Sequence, residues 1–289
     1  MKKINILSLF VFSAVTILTS CNFDNNTIIN EEGQRVTAYI MESEDYLYKQ
    51  SSYDLKIEGK LMASPLPEFN YFKIDGEIFS SRDNFTLNPG YIDFYLTSQQ
   101  ASVLRIYSTV YFEVNTEFGA IFGNQSRPAL IDDNIEINGT DADYSTVYPN
   151  AEINLSDMLE VSWTYGSERP DFLHVYGIYS YHDGFTDRVM KINEYIDSSY
   201  SFFRLFNSGV LQYNGRVNFN IEPYNGPIPG EDSVSNMSGD GTGTLYWSHL
   251  PDYCELEVQV GNGYKGKDDI KSKMRDLRLE LIRKNIFNE

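Results

Sequence analysis

A mainly β protein is what this 289-residue sequence predicts, and three observations carry the prediction. Apolar residues recur at every second position through most of the chain after Val36. Aromatic and β-branched residues fill those runs, and Gly, Pro, Asn or Asp bounds each of them. A period of two sends successive side chains to opposite faces, so each run has one packed face and one wet face, the habit of antiparallel sheets. The 22 tyrosines and 18 phenylalanines suit strands and say nothing about ligands by themselves. Repeated short strands with turn signals between them favour packed sheets over alternating strands and helices.

The chain begins differently. Lys2 and Lys3 precede an apolar stretch over 4–18, and Leu18-Thr19-Ser20-Cys21 follows. A positive start, an apolar core too short for a stable span and small residues before a cleavage point make residues 1–20 a secretory signal peptide. The last four residues resemble the lipobox of bacterial lipoproteins. The resemblance implies cleavage before Cys21, lipidation of its sulfur with two fatty chains and acylation of its new amine with a third, of the palmitate kind. Each buried methylene contributes ~0.8 kcal/mol, and two or more chains hold stably where one does not. Cys21 is therefore expected to anchor the protein to a lipid bilayer, its first partner. No later stretch of about 18 apolar residues occurs to span one. Asn22 rather than Asp follows the cysteine, which by resemblance to lipoprotein sorting favours the outer membrane over the inner.

Residues 21–35 are polar and without pattern, as in a flexible tether. Loss of residues 1–20 takes two lysines and no acid from the 23 basic and 41 acidic side chains, leaving a net charge of −20. Phosphate binding needs clustered Lys and Arg, so nucleic acid is excluded as a partner. Anionic headgroups would repel such a body, and membrane contact falls to the lipid alone.

Residues 36–131 form the first expected domain. Tyr53, Leu55 and Ile57 alternate with Asp54, Lys56 and Glu58, and Val110, Phe112 and Val114 interleave with Tyr107, Thr109 and Tyr111. Val110-x-Phe112-x-Val114-x-x-x-x-Gly119-x-Ile121-x-Gly123 recurs 107 residues later as Val217-x-Phe219-x-Ile221-x-x-x-x-Gly226-x-Ile228-x-Gly230. A repeat at that offset, close to one sandwich domain, points to tandem antiparallel units, with coincidence in strand-rich sequence as the alternative. Arg127-Pro128 and Asp132-Asp133-Asn134 interrupt the pattern, so the second domain is placed at 132–264.

This second unit resembles fibronectin type III and immunoglobulin-like β-sandwich domains. Leu159-Glu160-Val161-Ser162-Trp163 resembles their B strand, whose tryptophan lies between the sheets. Residues 172–179 would be strand C, and Val217, Phe219 and Ile221 would lie in strand F. A segment over 183–198 is longer than the connection such domains use, and Val189, Ile192 and Ile196 at helical spacing predict a short helix there. Strand material continues through 244–247 and 253–260. Over 268–287, Ile270, Met274, Leu277 and Leu281 fall at helical spacing, against the alternative of a strand through Leu277, Leu279 and Leu281. Residues 265–289 are the basic C-terminal segment, net +4 between Lys265 and Lys284. It docks on its own acidic body or serves as a partner-binding tail.

Chemistry is sparse. His174, His182 and His249 are the histidines, and no metalloprotease, nucleophile-elbow or phosphate-loop pattern accompanies them. Cys254, in an alternating run, reads as a small buried hydrophobe. The glycines over 239–244 suit a turn, and Asn236, Asp240, Asp183 and Asp187 lack EF-hand spacing, so no metal and no cofactor is expected. Loops on rigid β scaffolds carry function. The candidate binding residues are therefore Tyr181, His182, Asp183 and Phe185 in one loop, and Tyr224, Asn225, Asp232, Asn236 and Asp240 in another. The sequence points to a non-enzymatic envelope lipoprotein making protein or glycan contacts. Its alternatives are a self-assembling envelope subunit and, behind it, a hydrolase of envelope polymers. Mass spectrometry of the processed N-terminus should find a triacylated Cys21, and Cys21→Ala should move the protein from the membrane to the soluble fraction.

Overall fold

A computed structural model describes residues 34–46, 53–64, 69–79, 85–88, 91–97, 99–101, 108–142, 150–155, 157–205, 211–229, 235–261 and 270–286. The expected signal peptide, Cys21 and most of the expected tether lie outside the described residues. Within 34–289 the fold is mainly β, and fifteen of the described strands join one large curled sheet.

The N-terminal part of the sheet begins with β1 (Gln34–Tyr46) and its antiparallel partner β2 (Tyr53–Ser64). β3 (Phe69–Ile74), β4 (Glu77–Phe79), β5 (Phe85–Asn88) and β6 (Tyr91–Tyr95) follow, and β7 (Thr109–Thr116) with β8 (Gly119–Ser126) forms a tight hairpin. The alternation read in the sequence is realised here. Val110, Phe112 and Val114 are buried, while Thr109, Tyr111 and Glu113 face outward. Phe72, Phe79, Phe94 and Phe112 cluster at the centre, with Phe72 and Phe94 ring centroids 4.8 Å apart. Gly59 of β2 pairs with Phe94 of β6, and the Phe94 ring fills the space a Cβ would need.

Four short strands make a second sheet: β9 (Glu136–Ile137), β10 (Thr140–Asp141), β12 (Leu159–Ser162) and β15 (Phe202–Leu205), in the order β10-β9-β12-β15. It shares one core with β11 (Asn150–Ile153), β13 (Phe172–His182), β16 (Gly215–Asn225) and β19 (Glu255–Val260) of the large sheet. Leu159, Val161 and Trp163 are buried in that core beside Val217, Phe219 and Ile221, and Cys254 is buried with them. Two parallel pairings correct the expectation of purely antiparallel sheets. β1 runs parallel to β18 (Gly241–Leu250) from Gln34↔Gly241 to Ser43↔Leu250, and β11 runs parallel to β19. These pairings join segments far apart in sequence, which leaves the side-chain alternation within each strand unchanged. β17 (Met237–Gly239) bridges β8 and β18, so Met237, Leu245 and Trp247 belong to the N-terminal core. The division expected at 131/132 is thus crossed by strand pairing.

β16 joins the two cores. One edge pairs with β13 over its whole length, and the other pairs first with β19 and then, at Tyr224 and Asn225, with β18. β18 and β19 are one chain path with a kink. Four residues of β16 separate the pairs Asn220↔Glu255 and Tyr224↔Ser248, but seven separate their partners. The 3-10 turn Asp252–Cys254 takes up the difference.

The short helix expected over 183–198 does not form. That segment is β14 (Asp187–Asp197), paired with β13 from Phe172↔Asp197 to His182↔Asp187. Met190, Ile192 and Ile196 share the core-facing period of two, while Val189 is 56% exposed. Pairing with the open edge of β13 decided against the helical spacing. The repeated motif also divides. Gly119 and Gly226 both have positive φ, but 110–123 is a hairpin while residues after Asn225 leave the sheet.

The C-terminal helix, α1 (Ile270–Leu281), ends in a π-helical turn, Ile282–Ile286. Met274, Leu277 and Leu281 pack on Tyr176 and Ile178 of β13, so the helical reading holds and the strand alternative does not. No helix among the described residues is long and apolar enough to cross a membrane. A Cβ at Gly177 would collide with the Asn218 carbonyl oxygen and lie 2.6 Å from Phe219 Cβ. Gly177→Ala should therefore lower stability by about 3 kcal/mol, read from urea unfolding, because backbone cannot give way there.

Candidate functional site

Tyr181 and Tyr224, one from each set of candidate residues, lie at opposite ends of the β13–β16 pair. Tyr181 of β13 pairs with Gly215 of β16, whereas Tyr224 pairs with Phe172. Nine residues of extended strand separate those pairs, about 30 Å. They do not converge.

The first set builds the turn between β13 and β14. Asp183 organises it: Oδ1 accepts from the amides of Phe185 (2.9 Å) and Thr186 (2.8 Å), and Oδ2 accepts from Arg188 Nε at 2.7 Å. The Arg188 guanidinium, followed by those two amides, holds the Asp183 carboxyl well below the usual carboxylate range. Gly184 adopts φ +94°, a conformation that costs a residue with a Cβ strain. His182 Nδ1 lies 3.0 Å from Asp187 Oδ1 across the strand ends. Behind the turn the Tyr181 ring stacks on Tyr213 at 5.2 Å and on Tyr179 at 4.7 Å, and Tyr179 donates to the Tyr213 carbonyl. Phe185 at the tip is 90% exposed. Exposed apolar area marks a contact site when it collects into a patch.

The second set is structural. Asn225 Nδ2 donates to the Ser126 and Arg127 carbonyls, and its Oδ1 accepts from the Asp171 amide at 2.9 Å. Asn236 caps the β17 entry, donating to Gln125 Oε1 and accepting from the Leu245 amide. Asp240 accepts from the Ala120 amide at 3.0 Å. Tyr224 is buried. Asp232 lies outside the described residues.

Sequence reasoning missed a third place, under α1. Asn218, Asn220 and Glu222 occupy the alternate positions of β16 expected to face water, yet all three are buried and Glu222 is 0% exposed. Arg278 of α1 donates to both Glu222 oxygens, through Nε at 3.1 Å and through Nη2. Tyr39, Tyr176 and Tyr224 surround the pair. Tyr39 hydrogen-bonds the Tyr224 hydroxyl and lies 2.9 Å from Ser248 Oγ, and Asn220 donates to the Tyr176 hydroxyl at 3.0 Å. Burial, with Glu222 adding to it, raises all three phenols far above their ordinary range. Burial opposes the Arg278 charge, but Glu222 and the adjacent tyrosines hold its proton more firmly than water does. A second buried pair, Arg127 with Glu42, ties β1 to the chain after β8, and His249 Nε2 is 3.8 Å from Glu42. No spacing in the sequence announced either pair. Among the described residues, no three His, Cys, Asp or Glu side chains stand together as a metal site.

No family model matches this sequence. No curated protein matches it either. Among solved structures, the yeast δ-COP-I μ-homology domain complexed with a Dsl1 WxWxV peptide is similar over 78% of this chain and 98% of that one. The identity is 12% and the TM-score 0.20, too low to relate the two folds.

His174 lies beside the tyrosines, stacked on Tyr195 at 4.5 Å, with Nε2 2.8 Å from Asn193 Oδ1. Burial lowers its pKa to about 4, against about 6.5 in an unfolded chain. Between those values the unfolded chain binds a proton that the folded chain refuses, so stability falls as pH drops from about 6.5 to about 4. The loss should approach ~3 kcal/mol at ~1.36 kcal/mol per pKa unit. Urea titrations of wild type and His174→Gln across this window should show a flatter acid limb in the variant.

Proposed function

We propose that this chain is a lipid-anchored cell-envelope protein that binds a protein or glycan without catalysis, through the β13–β14 turn. The single observation that carries this reading is Phe185, almost wholly exposed on a turn fixed by Asp183 and Arg188. A rigid apolar tip binds at lower entropic cost than a mobile one. The lipobox-like Leu18-Thr19-Ser20-Cys21 supplies the anchor, and the polar residues before Gln34 supply reach. An outer-membrane location follows from Asn22 by the same resemblance.

The finer fold reading belongs here too: residues 132–264 as an immunoglobulin or fibronectin III-like sandwich beside a second unit. What supports it is the order β9-β12-β15 facing β14-β13-β16-β19, with β11 parallel to β19 and Trp163 between the sheets.

The test compares wild type with Phe185→Ala on immobilised envelope fractions, with protein and polysaccharide components separated. Wild type should be retained by one component, and Phe185→Ala should weaken retention at least tenfold with unchanged thermal stability. Equal retention of the two proteins would sink the assignment of the turn.

A further inference from the structure

We infer that the outer face of β3, β7 and β8 is a further binding site, and that its ligand is a neutral glycan chain laid across the rings of Tyr111 and Phe122. The inference does not depend on the β13–β14 turn binding anything.

The face is built on one row of cross-strand neighbours. Ile78 of β4, Lys73 of β3, Glu113 of β7, Phe122 of β8 and Ser238 of β17 stand opposite one another in turn. Strands lie about 4.8 Å apart, so the row spans roughly 19 Å. The residues next to them in sequence, Phe72, Phe112 and Ile121, fill the core, which leaves this row outside. Ile78 is 57% exposed and Phe122 40% exposed.

Two rings lie down on this face instead of standing out from it. The Tyr111 hydroxyl donates to Glu113 Oε2 at 3.2 Å, two residues along its own strand, and that reach lays the ring along the sheet. Phe122 leans over β17, where Gly239 has no side chain to lift it. Its Cε1 lies 3.2 Å from the place a Cβ of residue 239 would take. The two rings are 28° from parallel with centroids 6.1 Å apart, an offset that sets them beside each other. Next to them Glu113 Oε1 accepts from Lys73 Nζ at 2.9 Å and from the Tyr71 hydroxyl at 3.2 Å. The carboxylate and the ammonium are thus oriented before any ligand arrives, which lowers the entropic cost of binding.

This chemistry selects its occupant. Pyranose rings turn weakly positive C–H groups toward whatever they lie on, and the negative face of an aromatic ring attracts them. Sugar hydroxyls both donate and accept, so they use a fixed carboxylate and a fixed ammonium together. Lys73 and Glu113 cancel, so a charged polymer gains no net attraction here. A polyanion is also repelled by a chain of net charge −18. A protein partner fits less well, because interface centres are depleted in lysine and glutamate. Small molecules favour concave pockets, whereas an outer sheet face is open and accommodates a chain of sugars extending along it.

Affinity electrophoresis of the whole chain, held in neutral detergent, tests this in native gels that each carry one neutral polysaccharide (a β-glucan, a mannan, a xylan or starch), with polygalacturonate as the charged control. Wild type should be retarded in at least one neutral gel and not by polygalacturonate. Phe122→Ala and Tyr111→Ala should each raise the dissociation constant about tenfold, the scale of one lost aromatic contact. Tyr111→Phe keeps the ring but frees it from Glu113, and should weaken binding less than Tyr111→Ala does. Phe185→Ala should match wild type, and thermal melting should be unchanged in Phe122→Ala and Tyr111→Phe. Retardation in none of the neutral gels, or in polygalacturonate alone, would overturn the inference. So would retardation that Phe122→Ala and Tyr111→Ala leave intact, and its loss in Phe185→Ala alone would move sugar binding to the β13–β14 turn.

Discussion

Everything in the 34–289 unit hangs on β16. It is the described strand whose edges are shared among β13, β18 and β19, and β18 in turn gives Leu245 and Trp247 to one core and Leu250 to the other. Its inward positions, Val217, Phe219 and Ile221, fill one core. Its opposite positions, Asn218, Asn220 and Glu222, are buried as well, with Glu222 beneath α1. A strand buried on both faces ordinarily reads as a continuous apolar run. β16 instead alternates: Arg278 meets Glu222, Asn220 donates to the Tyr176 hydroxyl, and Asn218 donates to Glu257 of β19. Loss of Arg278 alone would leave a buried charge unpaired, which is far more damaging than never having had the pair.

Much of this was legible in the residues, for a local reason. Side-chain alternation is set by each strand's own two faces, so Leu159, Val161 and Trp163, or Val110, Phe112 and Val114, declare a buried face without knowledge of their neighbours. The C-terminal helix was legible in the same way, through Met274, Leu277 and Leu281. What could not be read is non-local. Gln34↔Gly241 is a pairing across more than 200 residues, and nothing in either segment names the other. Val189, Ile192 and Ile196 misled because helical spacing there coincides with a strand completing the edge of β13. Glu222 misled for the converse reason: its position is the wet one by alternation, and only a helix some fifty residues later closes over it.

The candidate surface follows the same division. Asp183-Gly184 is a turn signal visible in sequence, and the exposed tip of that turn is Phe185. Tyr224, Asn225, Asn236 and Asp240 looked equivalent because loops collect the same polar residue types whether they bind ligands or tie backbone together. Only their hydrogen bonds distinguish the two uses. Trp163, at the end of an alternating run, is buried as that alternation expects.

The parallel seam between β1 and β18 has a consequence for how the molecule comes into being. The first described strand waits for residues 241–250, so the curled sheet stays open until most of the polypeptide has emerged. High contact order of this kind slows folding, and the unpaired edge of β1 is an aggregation hazard during the delay.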